Sequence, residues 1–260
     1  MSFAKAMQVK FTLLSFPHTV FLTASMVIAI ILAVIVAKKI GFSKSVIWIC
    51  LVIGIACEME KIFFFVEDTG FGYRLPAEHI PFNLCPFQIF LIFALAIADD
   101  IKKRKLIITY MYPTMVAGGF LGMLLPSVIF LGYHGVTDFS TYRYFLFHGM
   151  VVFCGMYLYL SKPIEYSIKS FATSIAALFV VMIMTVWINA FFGWDKTVNF
   201  FFLVRPPAEN LPIINFNQGW TMYIFKLGGL TVFFFSLCYC REIIRDLPKL
   251  IGSIKDKLSR

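Results

Sequence analysis

A cysteine stands directly before a proline at Cys85–Pro86, and a histidine, His148, falls well inside a later apolar block. Proline favours the first turn of a helix, where its missing N–H would be unpaired in any case, so the pair predicts a helix start with Cys85 near the N-cap. A thiol in that position meets the positive end of the helix dipole and unpaired backbone amides. That setting can ready cysteine as a nucleophile and let the amides hold an oxyanion. His148, read as the one histidine inside an apolar block, is the natural proton acceptor for Cys85. Asn83 and Gln88 flank the cysteine and are placed to assist an oxyanion. The alternative reading of Cys85 is an inert filler in apolar surroundings.

The elements that must position these residues are membrane helices. The chain has 260 residues, 60% hydrophobic, 18% aromatic and 14% charged, with a mean hydropathy of +0.84. A soluble domain of this size is about a quarter charged, with its apolar residues spaced at helix or strand period. Here they are massed in blocks long enough to cross a hydrocarbon core of ~30 Å. Seven such blocks run Thr19–Ala37, Ser45–Val66, Pro81–Ala98, Leu106–Leu131, Arg143–Leu160, Ile168–Phe192 and Gly219–Cys240. The expected architecture is an all-α polytopic bundle in three parts: an extracytoplasmic segment 1–18, a seven-helix domain 19–240 and a basic amphipathic tail 241–260. The first block lacks a small-residue cleavage site and reads as a retained helix.

Orientation follows from lysine and arginine. One side of the seven-helix scheme collects six and the other fifteen, with Lys61 and Lys226 inside the blocks completing the 23. Basic loops stay cytoplasmic, so the N-terminus is expected outside and the tail inside, at the plasma membrane. The net charge of +9 is then a topology signal, and nucleic-acid binding is not expected. The six cysteines show no disulfide framework or zinc spacing, and neither a metal nor another cofactor is predicted.

With orientation fixed, the intramembrane polar groups share one depth. Glu58, Glu60 and Lys61 lie in the outward part of the second block, Asn83, Cys85 and Gln88 open the third, and His148, Asn189 and Lys226 sit near the outer ends of the last three. A charge at the centre of a bilayer costs at least ~2.5 kcal/mol, so such residues face a cavity or one another. A single polar pocket opening outward is expected, over an inner half that reads as almost wholly apolar. The bland reading is that Glu58 and Lys61 pair at i,i+3 while Asn189 and Lys226 join helices or snorkel. Gly118 and Gly122 form a GxxxG spacing read as a close-packing face, and Pro113 and Pro126 are expected to kink the fourth helix. The stretch from Trp194 to Trp220, rich in phenylalanine and proline, suits a lid or interfacial segment.

Four segments, IPFNLCPF (Ile80–Phe87), YRYFLFHG (Tyr142–Gly149), NFFFLVRPP (Asn199–Pro207) and QGWTMYI (Gln218–Ile224), stand in an order that resembles the YwaF-type bacterial membrane proteins, related to the animal transmembrane protein 164 family. The resemblance spans roughly Ile80 to Cys240 and implies acyl transfer between phospholipids by a cysteine and a histidine, which by position are Cys85 and His148. Family members often carry a histidine two residues before the cysteine; this chain has Asn83. Arg143 and Tyr144, from the second segment, join the expected substrate-binding set of Asn83, Gln88, Glu58, Glu60, Lys61, Asn189 and Lys226.

The function expected is therefore a membrane-lipid acyltransferase or transacylase, its partner a phospholipid or lysophospholipid entering laterally. One alternative is a transporter or substrate-capturing subunit working through Glu58, Glu60 and Lys226. The other is a lipid-binding protein without chemistry.

Overall fold

The computed structural model describes residues 13–70, 72–126, 138–193, 198–206, 217 and 219–258. Eight α-helices follow one another among them: α1 (Phe16–Ile40), α2 (Lys44–Phe65), α3 (Leu84–Ile97), α4 (Ile101–Leu124), α5 (Phe139–Leu160), α6 (Ile168–Phe192), α7 (Gly219–Cys238) and α8 (Cys240–Leu258). A two-residue antiparallel hairpin, β1 (Glu67–Asp68) with β2 (Tyr73–Arg74), and a 3₁₀ turn at Ala77–His79 separate α2 from α3. A second 3₁₀ turn, Phe200–Phe202, precedes α7.

The chain is an all-α, multi-pass membrane bundle. Each predicted block overlaps one of the helices α1 to α7, and α1, α4, α5, α6 and α7 are long and apolar enough to cross a membrane. The other two fall short by composition or length: α2 carries Glu58, Glu60 and Lys61, and α3 has 14 residues.

Capping residues move several boundaries. Helix α4 begins at Ile101 because Asp100 accepts from the amides of Lys102 and Lys103 at 2.7 and 2.9 Å, carrying the basic run into its first turn. Helix α1 begins at Phe16, with Ser15 as N-cap, which brings His18 into the bundle. Helix α4 ends at Leu124, so Pro126 follows the helix and stops it, where a kink within it was expected. Pro113 lies inside the continuous helix.

Helices α4 and α5 form the core pair. In each, 67% of the apolar window is buried, against 11% for α1 and α7 and 17% for α6, whose exposed aliphatic and aromatic faces suit lipid. Helices α1 and α2 pack on α5, α6 and α7 pack on α4, and α3 lies between α2 and α4. A Cβ on Gly119 would stand 2.7 Å from Val152 Cγ2 and 3.0 Å from the His148 carbonyl, so bare glycine lets α4 approach α5.

Two backbone donors are missing along α4, one at Pro113 within it and one at Pro126 just beyond its end. A proline cannot donate to the carbonyl four residues earlier, which leaves Thr109 O open below Pro113 and Gly122 O open below Pro126. Each is answered by a tyrosine from another helix or junction. Tyr239 Oη donates to Thr109 O at 3.2 Å, and Tyr144 Oη donates to Gly122 O. The next carbonyl, Met123 O, accepts from His18 Nε2 at 2.7 Å. His18 Nδ1 accepts from the Leu14 amide at 2.9 Å, which fixes the proton on Nε2. Sequence reading placed no histidine here, yet His18 is wholly buried.

The far end of the bundle is not bare of polar groups, contrary to the expectation of an apolar inner half. Tyr112, Tyr159, Tyr166 and Tyr239 pack their rings together, with Tyr112 and Tyr159 stacked at 4.6 Å. Tyr112 Oη donates to Cys238 O at 2.6 Å and Tyr166 Oη to Leu158 O at 3.0 Å, serving carbonyls at the ends of α7 and α5. Helix α8 leaves this cluster with Ile244, Leu247, Leu250 and Ile251 exposed beside a basic face, as expected of a helix lying in an interface.

If Tyr239 serves the carbonyl that Pro113 leaves open, Tyr239→Phe should cost about 1–3 kcal/mol in unfolding experiments in detergent. The same change in a Pro113→Ala background should cost less, because alanine restores the amide. Equal costs in both backgrounds would show that the two residues are unconnected.

Candidate functional site

One strip of α4 gathers the chemistry. Thr114, Gly118 and Gly122 succeed one another at four-residue spacing and so share a face. Gln88 Nε2 donates to Thr114 Oγ1 at 3.1 Å and to Leu84 O at 3.2 Å. One turn on, a Cβ at Gly118 would lie 3.6 Å from Cys85 Sγ and 3.0 Å from a Leu84 methyl. At Gly122 it would lie 2.7 Å from His148 Nε2. The GxxxG spacing thus does more than close-pack two helices: one glycine admits the thiol from α3 and the other admits the imidazole from α5. Positions four apart have Cβ atoms about 5–6 Å apart, so Sγ and Nε2 lie no more than about 12 Å apart along this strip.

The helix start that positions Cys85 differs slightly from expectation. Asn83 is the N-cap and Cys85 the second helical residue, with Pro86 third. Asn83 makes no side-chain cap; its Oδ1 accepts from Phe201 N at 3.2 Å. Pro86 has no N–H, so Leu84 and Cys85 supply the first-turn amides. Cys85 is 8% exposed and sits at the edge of the core.

His148 is held in one tautomer. Its Nδ1 lies 2.9 Å from the Tyr144 carbonyl, an acceptor only, so Nδ1 carries the proton and Nε2 presents its lone pair toward Gly122. The Tyr144 ring packs against the imidazole at 4.2 Å, and its hydroxyl, bound to Gly122 O, lies within electrostatic range of the Cys85 sulfur.

The remaining polar residues do not form one pocket. Glu58 pairs with Lys61 along α2, as the i,i+3 spacing suggested, and Glu60 pairs with Arg143 while accepting from Ser140 Oγ at 3.4 Å, which ties α2 to α5. Glu58 lies within electrostatic range of Cys85, and Lys61 balances its charge there. Asn189 is wholly buried and committed to Phe200: its Oδ1 accepts from Phe200 N at 2.9 Å and its Nδ2 donates to Phe200 O at 3.1 Å. Lys226 is half-buried on α7, which packs against α4, α6 and α8, and it makes none of the ion pairs among the described residues. His134 and most of the stretch 207–218 lie outside the described residues.

The described part of the expected lid is a clasp. Phe201 and Phe202 adopt φ of 56° and 55°, in the left-handed region, and such strained backbone persists only where its surroundings fix it. Asn83, Asn189 and Asn199 bind its backbone, Trp220 Nε1 donates to Leu203 O at 2.8 Å, and Tyr223 Oη donates to Phe202 O. Phe201 packs against Phe87 at 6.3 Å, and Phe200 against Phe82 at 5.6 Å, beside the start of α3.

A family model described as the TMEM164 family matches residues 13–239, which include all of these elements up to the end of α7. The chain belongs to the TMEM164 family. The match carries the TMEM164 family and not the YwaF-type name. No curated protein and no solved structure matches this TMEM164-family chain.

Sequence reading missed Thr114 in this family member and took Gly118 and Gly122 only as a close-packing face. All three gain their surroundings from what α3 and α5 bring to them, and only the four-residue spacing on α4 could have signalled it. Replacing Gly122 with alanine should displace the imidazole and shift the His148 ring resonances in NMR spectra, whereas Gly228→Ala, with nothing within 4 Å, should leave them in place. Unchanged His148 resonances in the Gly122 variant would place the ring elsewhere. Asn189→Ala should raise amide exchange in residues 198–206 by tenfold or more, equivalent to a lost buried bond of about 1.4 kcal/mol; protection unchanged from wild type would dissociate the clasp from Asn189.

Proposed function

We propose that the chain is a membrane-lipid acyltransferase or transacylase, with Cys85 as nucleophile and His148 as general base and then acid. The observation that carries this reading is the α4 strip, where two glycines admit a cysteine at a helix start and a histidine whose Nδ1–H···O bond leaves Nε2 as a lone pair. The glycine strip is closely packed by Leu84, Cys85 and His148, so an ester carbonyl reaches both groups only as these side chains shift to admit it.

In the first step the Cys85 proton moves to His148 Nε2 and the sulfur attacks a phospholipid ester carbonyl. The C–S bond forms, the ester C–O bond breaks, and the departing lysophospholipid oxygen takes the proton from Nε2. In the second, an acceptor lysophospholipid hydroxyl gives its proton to Nε2 and attacks the thioester, returning the thiol to Cys85. The Leu84 and Cys85 amides support the oxyanion in both steps, while both N–H groups of Gln88 are committed to Leu84 O and Thr114 Oγ1. Asn83 stands where family members often carry a histidine and instead holds the Phe200–Phe202 clasp. A flanking histidine is therefore not required to hold that segment.

All seven helices α1–α7 cross the plasma membrane in this reading, with the N-terminus outside and α8 on the inner leaflet, in line with the distribution of basic residues. An outward-facing Cys85 then takes its acyl group from a phospholipid, not from a cytoplasmic acyl-CoA. Of the charges on which the transporter alternative rests, Glu58 and Glu60 are each paired within the chain, and Lys226 alone is left for a solute.

The test is intact mass of the purified protein after incubation with phospholipid vesicles, before and after hydroxylamine. A hydroxylamine-labile acyl adduct should form on the wild type, be absent in Cys85→Ala, and form about 100-fold more slowly in His148→Gln, the lower end of general-base contributions. No adduct, with Cys85 alkylated no faster than the wholly buried Cys154, would remove the covalent mechanism.

A further inference from the structure

A second site lies at the other end of the bundle from Cys85. A cavity of about 200 Å³ opens between the α5–α6 connection and α8, roughly 18 Å along α5 from His148 at 1.5 Å per residue. Its walls carry three cations, Lys162, Arg241 and Arg245, and two carboxylates, Glu165 and Glu242. Glu242 is the unusual member. It is 3% exposed, its Oε1 accepts from Tyr159 Oη at 2.9 Å, and its Oε2 is buried without a hydrogen-bond partner. A carboxylate oxygen at such a depth is costly unless a donor reaches it.

Not all of the cations are available. Arg245 is clamped on Asp246 and donates to the Tyr166 carbonyl at 2.8 Å. The Arg245 guanidinium on Asp246, with the Ile168 amide donating at 3.1 Å, holds the Asp246 carboxyl down at a pKa of about 2, and the Ile168 bond fixes α8 to the start of α6. Arg241, beside the Tyr159 hydroxyl, and the exposed Lys162 remain to meet an anion. The cavity is thus lined both by a residue whose buried acceptor lacks a donor and by cations suited to phosphate.

We propose that this cavity binds the head group of a membrane phospholipid that carries an ammonium beside its phosphate, as ethanolamine lipids do. The ammonium meets Glu242 Oε2 and the phosphate meets Arg241 and Lys162. The source is a lipid because α8, which walls the cavity, exposes Ile244, Leu247, Leu250 and Ile251 as an interfacial helix does, placing the opening at head-group depth. A choline head group brings a cation but no N–H donor and leaves Glu242 Oε2 unsatisfied. The site is independent of whether Cys85 is a nucleophile.

The experiment uses the full chain in phosphatidylcholine nanodiscs doped with photoactivatable phosphatidylethanolamine or phosphatidylcholine carrying the reactive group at the head. Labelling is mapped by peptide mass spectrometry. Phosphatidylethanolamine should label the segments around 159–166 and 241–245 at least fivefold more than phosphatidylcholine. That labelling should fall severalfold in Glu242→Gln and in the surface double variant Lys162→Ala/Arg241→Ala, and persist in Cys85→Ala. Equal labelling by the two lipids, or labelling indifferent to both variants, would overturn the proposal. Displacement of the lipid probe by millimolar free phosphoethanolamine, but not by additional unlabelled phosphatidylethanolamine in the disc, would make the ligand a soluble one and overturn the lipid assignment.

Discussion

Hydrocarbon offers nothing to a backbone carbonyl, and α4 has carbonyls left open by Pro113 within it and at its C-terminal end before Pro126. That deficit sets much of the arrangement. Tyr144 from α5, His18 from α1 and Tyr239 from the α7–α8 junction each supply a donor to α4, and each thereby fixes the register of its own segment. The glycines between these points then decide how closely the neighbours approach. A bundle held this way relies on side-chain donors aimed at particular oxygens more than on apolar area, which lipid would cover equally well.

The same arrangement explains where the polar residues went. Sequence depth suggested one pocket, but most of the set is committed in pairs: Glu60 to Arg143, Glu58 to Lys61, Asn83 and Asn189 to the 3₁₀ turn. What remains along Gly118 and Gly122 is a short, narrow strip containing Cys85 and His148. Polar groups held this way leave few side chains along the strip free to change partners.

The helices were largely legible in the sequence because hydropathy reports burial in lipid directly. Helix α6 matches its block, bracketed by Ser167 and by Gly193 at φ 98°. Where charge and hydropathy disagree, caps decide, and the block reading missed Asp100, which carries a basic run into α4. His18 escaped because it stands ahead of the apolar block and beside Pro17, where nothing local shows that Met123 will need it. Cys85 and His148 stood out by residue type and by resemblance, but their common strip depends on a contact between α3, α4 and α5 that spacing within any one helix does not encode. Glu242 looked like one more charge in a basic tail; only packing beneath the tyrosine cluster sets it apart.

The bond from Tyr239 to Thr109 spans 130 residues. A chain that enters the membrane from its N-terminus therefore carries α4 through most of its insertion with that carbonyl unserved, until the last spanning helix arrives and its junction is in place. Completion of the oldest central helix waits on the youngest one. The tyrosine acts as a closing latch, and a chain cut short before it would leave its core helix open to recognition by membrane quality control.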